Sequence, residues 1–103
     1  MIVTEGTVIS KNGLGYNNVP GIFNNSHIQQ WKKVSDAVHR RNGLIFMQIW
    51  HVGRVSHPIF LNGNLPISPS ATQMSGRISR SEGLNYGLSR ELTVAEIKNL
   101  ISW

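Results

Sequence analysis

The hydrophobic pattern of this chain changes period at residues 42–43, and few folds accommodate the change. Before that point Ile28, Trp31, Val34 and Val38 recur at spacings of three and four, the stripe of a helix with one buried face. After it, Leu44-Ile-Phe-Met-Gln-Ile-Trp50 is an apolar run of strand length, the pattern of a strand covered on both faces. Arg40 and Arg41 fall in the last turn of the helix, where cations oppose the negative end of the dipole. Asn42-Gly43 supplies a left-handed stop, and Asn24 or Asn25 can cap the other end.

The opening segment, Met1-Ile-Val-Thr-Glu-Gly-Thr-Val-Ile-Ser10, is rich in β-branched residues and ends at the turn-forming Lys11-Asn-Gly-Leu-Gly15. The order is therefore β, α, β, with a helix of the length a parallel crossover needs. A right-handed βαβ unit and an α/β fold are expected. Residues 51–91 lack periodicity and are dense in Gly, Pro, Ser and Asn, so they should line a site or hold small hairpins. Asn62-Gly63 between residues 59–61 and 65–67 predicts one such hairpin, with Pro66 keeping its second strand at an edge. Thr93-Val-Ala-Glu96 is a capping box, and Leu92 with Ile97 occupies staple positions, so a second helix starts at Val94. It runs to Trp103 without a stop signal, while the first strand begins without an approach segment. Both ends are expected to be cuts through a larger fold.

The absence of cysteine removes disulfides and thiolate chemistry and fits a reducing compartment, for which the cytoplasm is the default. Neither a secretory leader nor an apolar run of membrane-spanning length is read from the sequence, and no membrane partner is expected. A net charge of +5 raises nucleic-acid binding as a question. Lys32, Lys33, Arg40 and Arg41 share one helix, however, and Arg54, Arg77, Arg80 and Arg90 are scattered with few stacking aromatics, so no nucleic-acid partner is expected.

The chemistry-bearing residues cluster in Gln48-Ile-Trp-His-Val-Gly-Arg54. Period two puts Leu44, Phe46, Gln48 and Trp50 on one face and Ile45, Met47, Ile49 and His51 on the other. Gln48 and Trp50 thus share a face at the carboxyl end of the strand, the edge where α/β sheets and barrels place ligands. An amide there could meet a heterocycle edge or simply satisfy loop backbone, and Trp50 could line a pocket or fill a core gap. His51 reads as a loop anchor, Gly53 as a turn, and Arg54 as an anion contact or, preferably, a carbonyl-bonded loop holder. The histidines form no metal signature and Glu5 and Glu82 are unpaired, so neither a metal site nor a carboxylate dyad is expected. The glycines of Asn12-Gly-Leu-Gly15 precede a turn and do not match a dinucleotide fingerprint.

Gln48-Ile-Trp-His-Val-Gly-Arg54 with Ser56 and Pro66-Ile-Ser-Pro-Ser-Ala71 resembles the old yellow enzyme family. So do Thr4-Glu-Gly-Thr-Val-Ile-Ser10, Gly15-Tyr16, Pro20-Gly-Ile22, Trp31-Lys32 and Leu92-Thr-Val-Ala-Glu-Ile97, in the family's order, so that the resemblance spans essentially the whole chain. It implies a fragment of an FMN-dependent (β/α)8 TIM barrel that passes hydride from NADPH or NADH through the flavin to an activated alkene. The pieces would be strand 2, helix 2, strand 3, the long loop and the start of helix 3, with residues 1–103 a partial FMN-binding domain. The resemblance places Gly6 where a small residue lies by the flavin ring, Gln48 at the pyrimidine end of FMN, and Trp50 at the border of the substrate pocket. A carboxamide so placed can stabilise charge on the flavin and tune its potential.

The substrate-binding His with its second His or Asn, the proton-donating Tyr and the phosphate loops of that family have no counterpart here, so no catalytic residue is assigned. The fragment alone is expected to be inactive and, with open strand edges, to self-associate. Two other readings stand beside it: a non-catalytic βαβ remnant serving as an interaction module, and a basic nucleic-acid binder.

Overall fold

The computed structural model describes residues 1–76 and 84–102. Arg77, Arg80, Glu82 and Trp103, named above, lie outside the described residues. Strand β1 (Ile2–Val8) and strand β2 (Ile45–Trp50) pair in parallel, and helix α1 (Asn25–Arg40) connects them, the βαβ order read from the sequence. A second parallel pair, β3 (Ile67–Ser68) with β4 (Arg90–Glu91), follows and leads into helix α2 (Val94–Ser102).

Local chemistry explains where α1 starts and stops. Asn24 is extended at φ −150° and ψ 168°, and its side chain accepts the backbone N–H of His27 at 2.8 Å. At the other end Asn42 takes φ 58°, and the N–H groups of Asn42 and Gly43 return to the carbonyls of His39 and Val38. The left-handed residue is thus Asn42, while Gly43 is needed because a Cβ there would stand 2.8 Å from Val38 Cγ1. The helix is tied to the sheet layer by the Trp31 indole N–H, which donates to the carbonyl of Gly21 at 3.0 Å. Gly21 in turn bridges to Val8 through the Val8 N–H to Pro20 and Ile22 N–H to Val8 hydrogen bonds.

Burial falls short of the expectation in two places. No residue of α1 is fully buried, and Ile28 is 52% and Val34 43% exposed. Strand β2, expected to be covered on both faces, leaves Phe46 56% and Ile49 67% exposed. Among the described residues one neighbouring strand and one helix flank β2, too little surface to cover both of its faces. Among the described residues the core sits at the loop end of the sheet, around Val8, Val52, Leu61 and Ile67.

The expected hairpin around Asn62-Gly63 does not form. Asn62 and Gly63 do turn with positive φ, 53° and 86°, but the preceding segment is a 3-10 helix, Pro58–Phe60. His57 nucleates it: its Nδ1 accepts the N–H of Ile59 at 3.1 Å, and Pro58 at the first helical position fixes φ. Ile67 then pairs with Arg90 instead of with residues 59–61. Beneath that pairing the Ser89 hydroxyl donates to the Thr72 carbonyl at 2.8 Å and meets Ser68 Oγ at 2.5 Å, a buried network without an apolar pattern to announce it. The capping box at α2 forms as read: Glu96 N–H donates to Thr93 Oγ1 at 3.2 Å, and Thr93 N–H donates to the Glu96 carboxylate at 2.8 Å.

Candidate functional site

The register of the parallel pair brings the sequence-derived site residues together. Gly6 is the partner of Gln48, and Val8 of Trp50, so Gly6, Gln48 and Trp50 belong to one sheet face. A bulge makes this possible. Val3 pairs with Phe46 but Gly6 with Gln48, so β1 carries one residue more than β2 across that interval. The extra residue reverses which β1 side chains share the Gln48 face; without it, Gly6 would fall on the opposite side. The ladder gap is filled by a side chain, since Thr4 Oγ1 accepts the Gln48 backbone N–H at 3.0 Å.

Trp50 lies across the neighbouring strand. A Cβ built on Gly6 would stand 2.5 Å from Trp50 Cε3 and 3.0 Å from Cδ2, a separation no real Cβ keeps. On its other contact the indole stacks on Tyr16, with ring centroids 5.4 Å apart and planes inclined by 24°. The space above Gly6 is therefore taken by Trp50, so Gly6 offers a ligand its backbone edge and not an open face. Gln48 is exposed, and among the described residues its carboxamide makes no hydrogen bond, so both its donor and its acceptor remain available on that face.

His51 and the following Ser56 hold loops. His51 Nδ1 accepts the Gly53 N–H at 3.0 Å, its Nε2 faces Asn12 Oδ1 at 3.1 Å, and burial pushes its pKa down. Gly53 turns at φ 59°, the turn expected of it. Ser56 Oγ donates to the Leu14 carbonyl at 2.5 Å. Arg54 departs from the expectation: it is exposed and makes no side-chain hydrogen bond among the described residues, so the loop is held by His51 and Ser56 instead. No cluster of three or more metal-ligating side chains occurs among the described residues, and no described helix is long and apolar enough to cross a membrane.

Comparison with known proteins gives the family of the chain. The profile of the NADH:flavin oxidoreductase / NADH oxidase family matches residues 1–103. The chain belongs to that family. Within this flavin oxidoreductase family it is 43% identical over 101 residues to flavin oxidoreductase hxnT of Emericella nidulans, covering 98% of this chain and 26% of that protein. It is 42% identical over 106 residues to 12-oxophytodienoate reductase 7 of Oryza sativa subsp. japonica, covering 98% of this chain and 27% of the relative. Among solved structures, the old yellow enzyme homologue from Zymomonas mobilis superposes with a TM-score of 0.85 at 37% identity, over 97% of this chain and 28% of that one. Morphinone reductase in complex with tetrahydroNAD gives 0.84 at 34% identity, over 97% and 30%. The chain is thus an old yellow enzyme family sequence spanning about a quarter of the length of the curated relatives it matches.

Two contributors to the site were not singled out as such from sequence. Thr4 carries the bulge and Tyr16 carries the stack on Trp50. Tyr16 follows the Gly13 and Gly15 turn, so an aromatic placed just after a βα turn was the available signal. Thr4 left none, because a bulge is invisible to a period-two reading.

Proposed function

We propose that this chain is the strand 2 to helix 3 portion of an FMN-dependent NAD(P)H oxidoreductase of the (β/α)8 type that reduces activated alkenes such as enones. The observation that carries the proposal is the register that sets Gly6 opposite Gln48, with Trp50 on the same face. Residue chemistry fits FMN: an unengaged carboxamide offers a donor and an acceptor to the pyrimidine edge, and Gly6 brings bare backbone beside it. Bound FMN would supply hydride transfer from the nicotinamide to the alkene.

The chain's own residues have supporting roles. Gln48 would hold the pyrimidine end of FMN, and its amide N–H would offer partial positive charge there. Trp50, braced by Tyr16, walls the substrate side and excludes water without exchanging a proton. His51 sits on the adjoining loop and transfers nothing. The 103 residues alone hold neither phosphate loops nor substrate hydrogen bonders read by resemblance, so in this reading they turn over no substrate. Exposed Ile2, Val3, Phe46 and Ile49 support self-association of the isolated chain.

The test is an FMN titration followed by flavin absorption and fluorescence. The 103-residue chain is expected to leave both spectra unchanged at micromolar concentrations, whereas a complete barrel bearing this segment retains FMN and oxidises NADH or NADPH with an enone present. A complete barrel that folds and retains no FMN would sink the proposal.

A further inference from the structure

The loops that follow β1 and β2 are seamed together at three consecutive residues. Asn12 Oδ1 faces His51 Nε2 at 3.1 Å, the Gly13 carbonyl accepts the Val52 N–H at 3.2 Å, and the Leu14 carbonyl accepts the Ser56 hydroxyl at 2.5 Å. The seam is close-packed. A Cβ on Gly13 would stand 2.8 Å from His51 Cδ2, and one on Gly15 would stand 2.5 Å from the Val55 carbonyl oxygen. Tyr16 comes directly after this seam on the first loop, and Trp50 directly before it on β2. The two stack on each other.

Of the groups that make these bonds, His51 alone can change its charge. Its Nδ1 accepts the Gly53 N–H, so in this arrangement Nδ1 carries no proton. The ring proton then resides on Nε2 and is donated to Asn12 Oδ1, which also accepts from the Ser10 hydroxyl. A second proton, on Nδ1, would confront the Gly53 N–H with another donor and remove the bond that fixes the ring.

We propose that His51 is a positioning residue: as the neutral Nε2–H tautomer it pins residues 12–16 so that Tyr16 stays against Trp50, and protonation at Nδ1 releases that wall. The role in substrate binding rests on the reading above that this face receives the flavin and its substrate. Surrounding titratable groups do not oppose it. Lys11 and Tyr16 stand on the first loop, Arg54 and His57 on the second, and Glu96 shares a cleft with Asn12. Among the described residues none contributes to the lowered pKa of His51, which burial brings about.

The experiment uses a histidine-labelled complete barrel bearing this segment and nitrogen NMR across a pH titration, with near-ultraviolet circular dichroism of the Tyr16–Trp50 pair recorded in parallel as the difference from Trp50→Phe. The expected result is the Nε2–H tautomer at neutral pH, a midpoint below that of free histidine, and loss of the aromatic signal at the same midpoint. Asn12→Asp places a carboxylate at Nε2, so it should move both midpoints upward together. His51→Asn keeps an acceptor for Gly53 but does not reach Asn12, and should lack the aromatic signal at every pH.

In the flavin-loaded full-length enzyme His51→Asn should raise KM for the enone several-fold and leave kcat nearly unchanged. A proton on Nδ1 at neutral pH, an aromatic signal indifferent to His51 ionisation, or midpoints unmoved by Asn12→Asp would each overturn the proposal. Failure of the wild-type full-length enzyme to hold FMN would instead overturn the functional reading, and the tautomer measurement does not depend on it.

Discussion

The indole of Trp50 occupies the place where a side chain on Gly6 would stand, 2.5 Å from the nearest Cβ position. Gly6 is therefore small for Trp50's sake as well as for any ligand's. Gly6→Ala should force the indole off Tyr16 and cost about 1–3 kcal/mol, the usual range for overpacking. Urea denaturation would give the loss of stability, and near-ultraviolet circular dichroism the loss of the stack. In a Trp50→Leu background the same substitution should cost much less, because the two residues are coupled through direct contact.

Thr4 replaces a ladder acceptor at the bulge, taking the Gln48 N–H at 3.0 Å. Thr4→Val preserves shape and removes that acceptor, for an expected loss of about 1 kcal/mol. Hydrogen exchange offers the local readout: the Gln48 amide should exchange roughly tenfold faster while the amides of α1 keep their rates. Equal acceleration throughout would mean that the bulge is not held by this bond.

Glu96 joins two tasks at the start of α2. Its carboxylate receives the Arg90 guanidinium through two hydrogen bonds, at 2.8 and 3.0 Å, and also the Thr93 N–H. The Arg90 hydrogen bond, ahead of that from Thr93, brings its pKa down from 4.5 to about 2. A carboxylate depressed on folding stabilises above its unfolded pKa, and that contribution disappears as pH falls from about 4.5 towards about 2. Helicity of α2 should follow this acid window, and Arg90→Leu should raise the midpoint. Thr93→Ala should cost about 1 kcal/mol by removing the cap.

Much of the βαβ unit was legible because local chemistry decides it. Asn24, Asn42-Gly43 and the Thr93 to Glu96 box act within one turn of helix, and each forms as its residues require. Gln48 and Trp50 could be put on one face because β2 is regular. Gly6 could not be placed by alternation, since the bulge at Thr4 reverses the count, and only the family resemblance put it near Gln48. The hairpin reading failed where a side chain competed with the backbone: His57 captures the Ile59 N–H and starts a 3-10 turn. Arg54 misled for a different reason, because a long cation beside carbonyl-rich loop sequence can bond anywhere or nowhere. The pairing of β3 with β4 joins segments far apart in sequence, which no short-range pattern encodes.

The central claim is that the Gln48 carboxamide, beside Gly6 and Trp50, meets the flavin. It is tested most directly by the FMN dissociation constant of a complete barrel bearing this segment with Gln48, Gln48→Ala or Gln48→Glu. Loss of hydrogen bonds to a polar ring edge should weaken binding about tenfold in Gln48→Ala, near 1.4 kcal/mol. The flavin midpoint potential should fall in Gln48→Glu, where a carboxylate opposes negative charge on the ring. Affinity and potential both unchanged in the two variants would contradict the account.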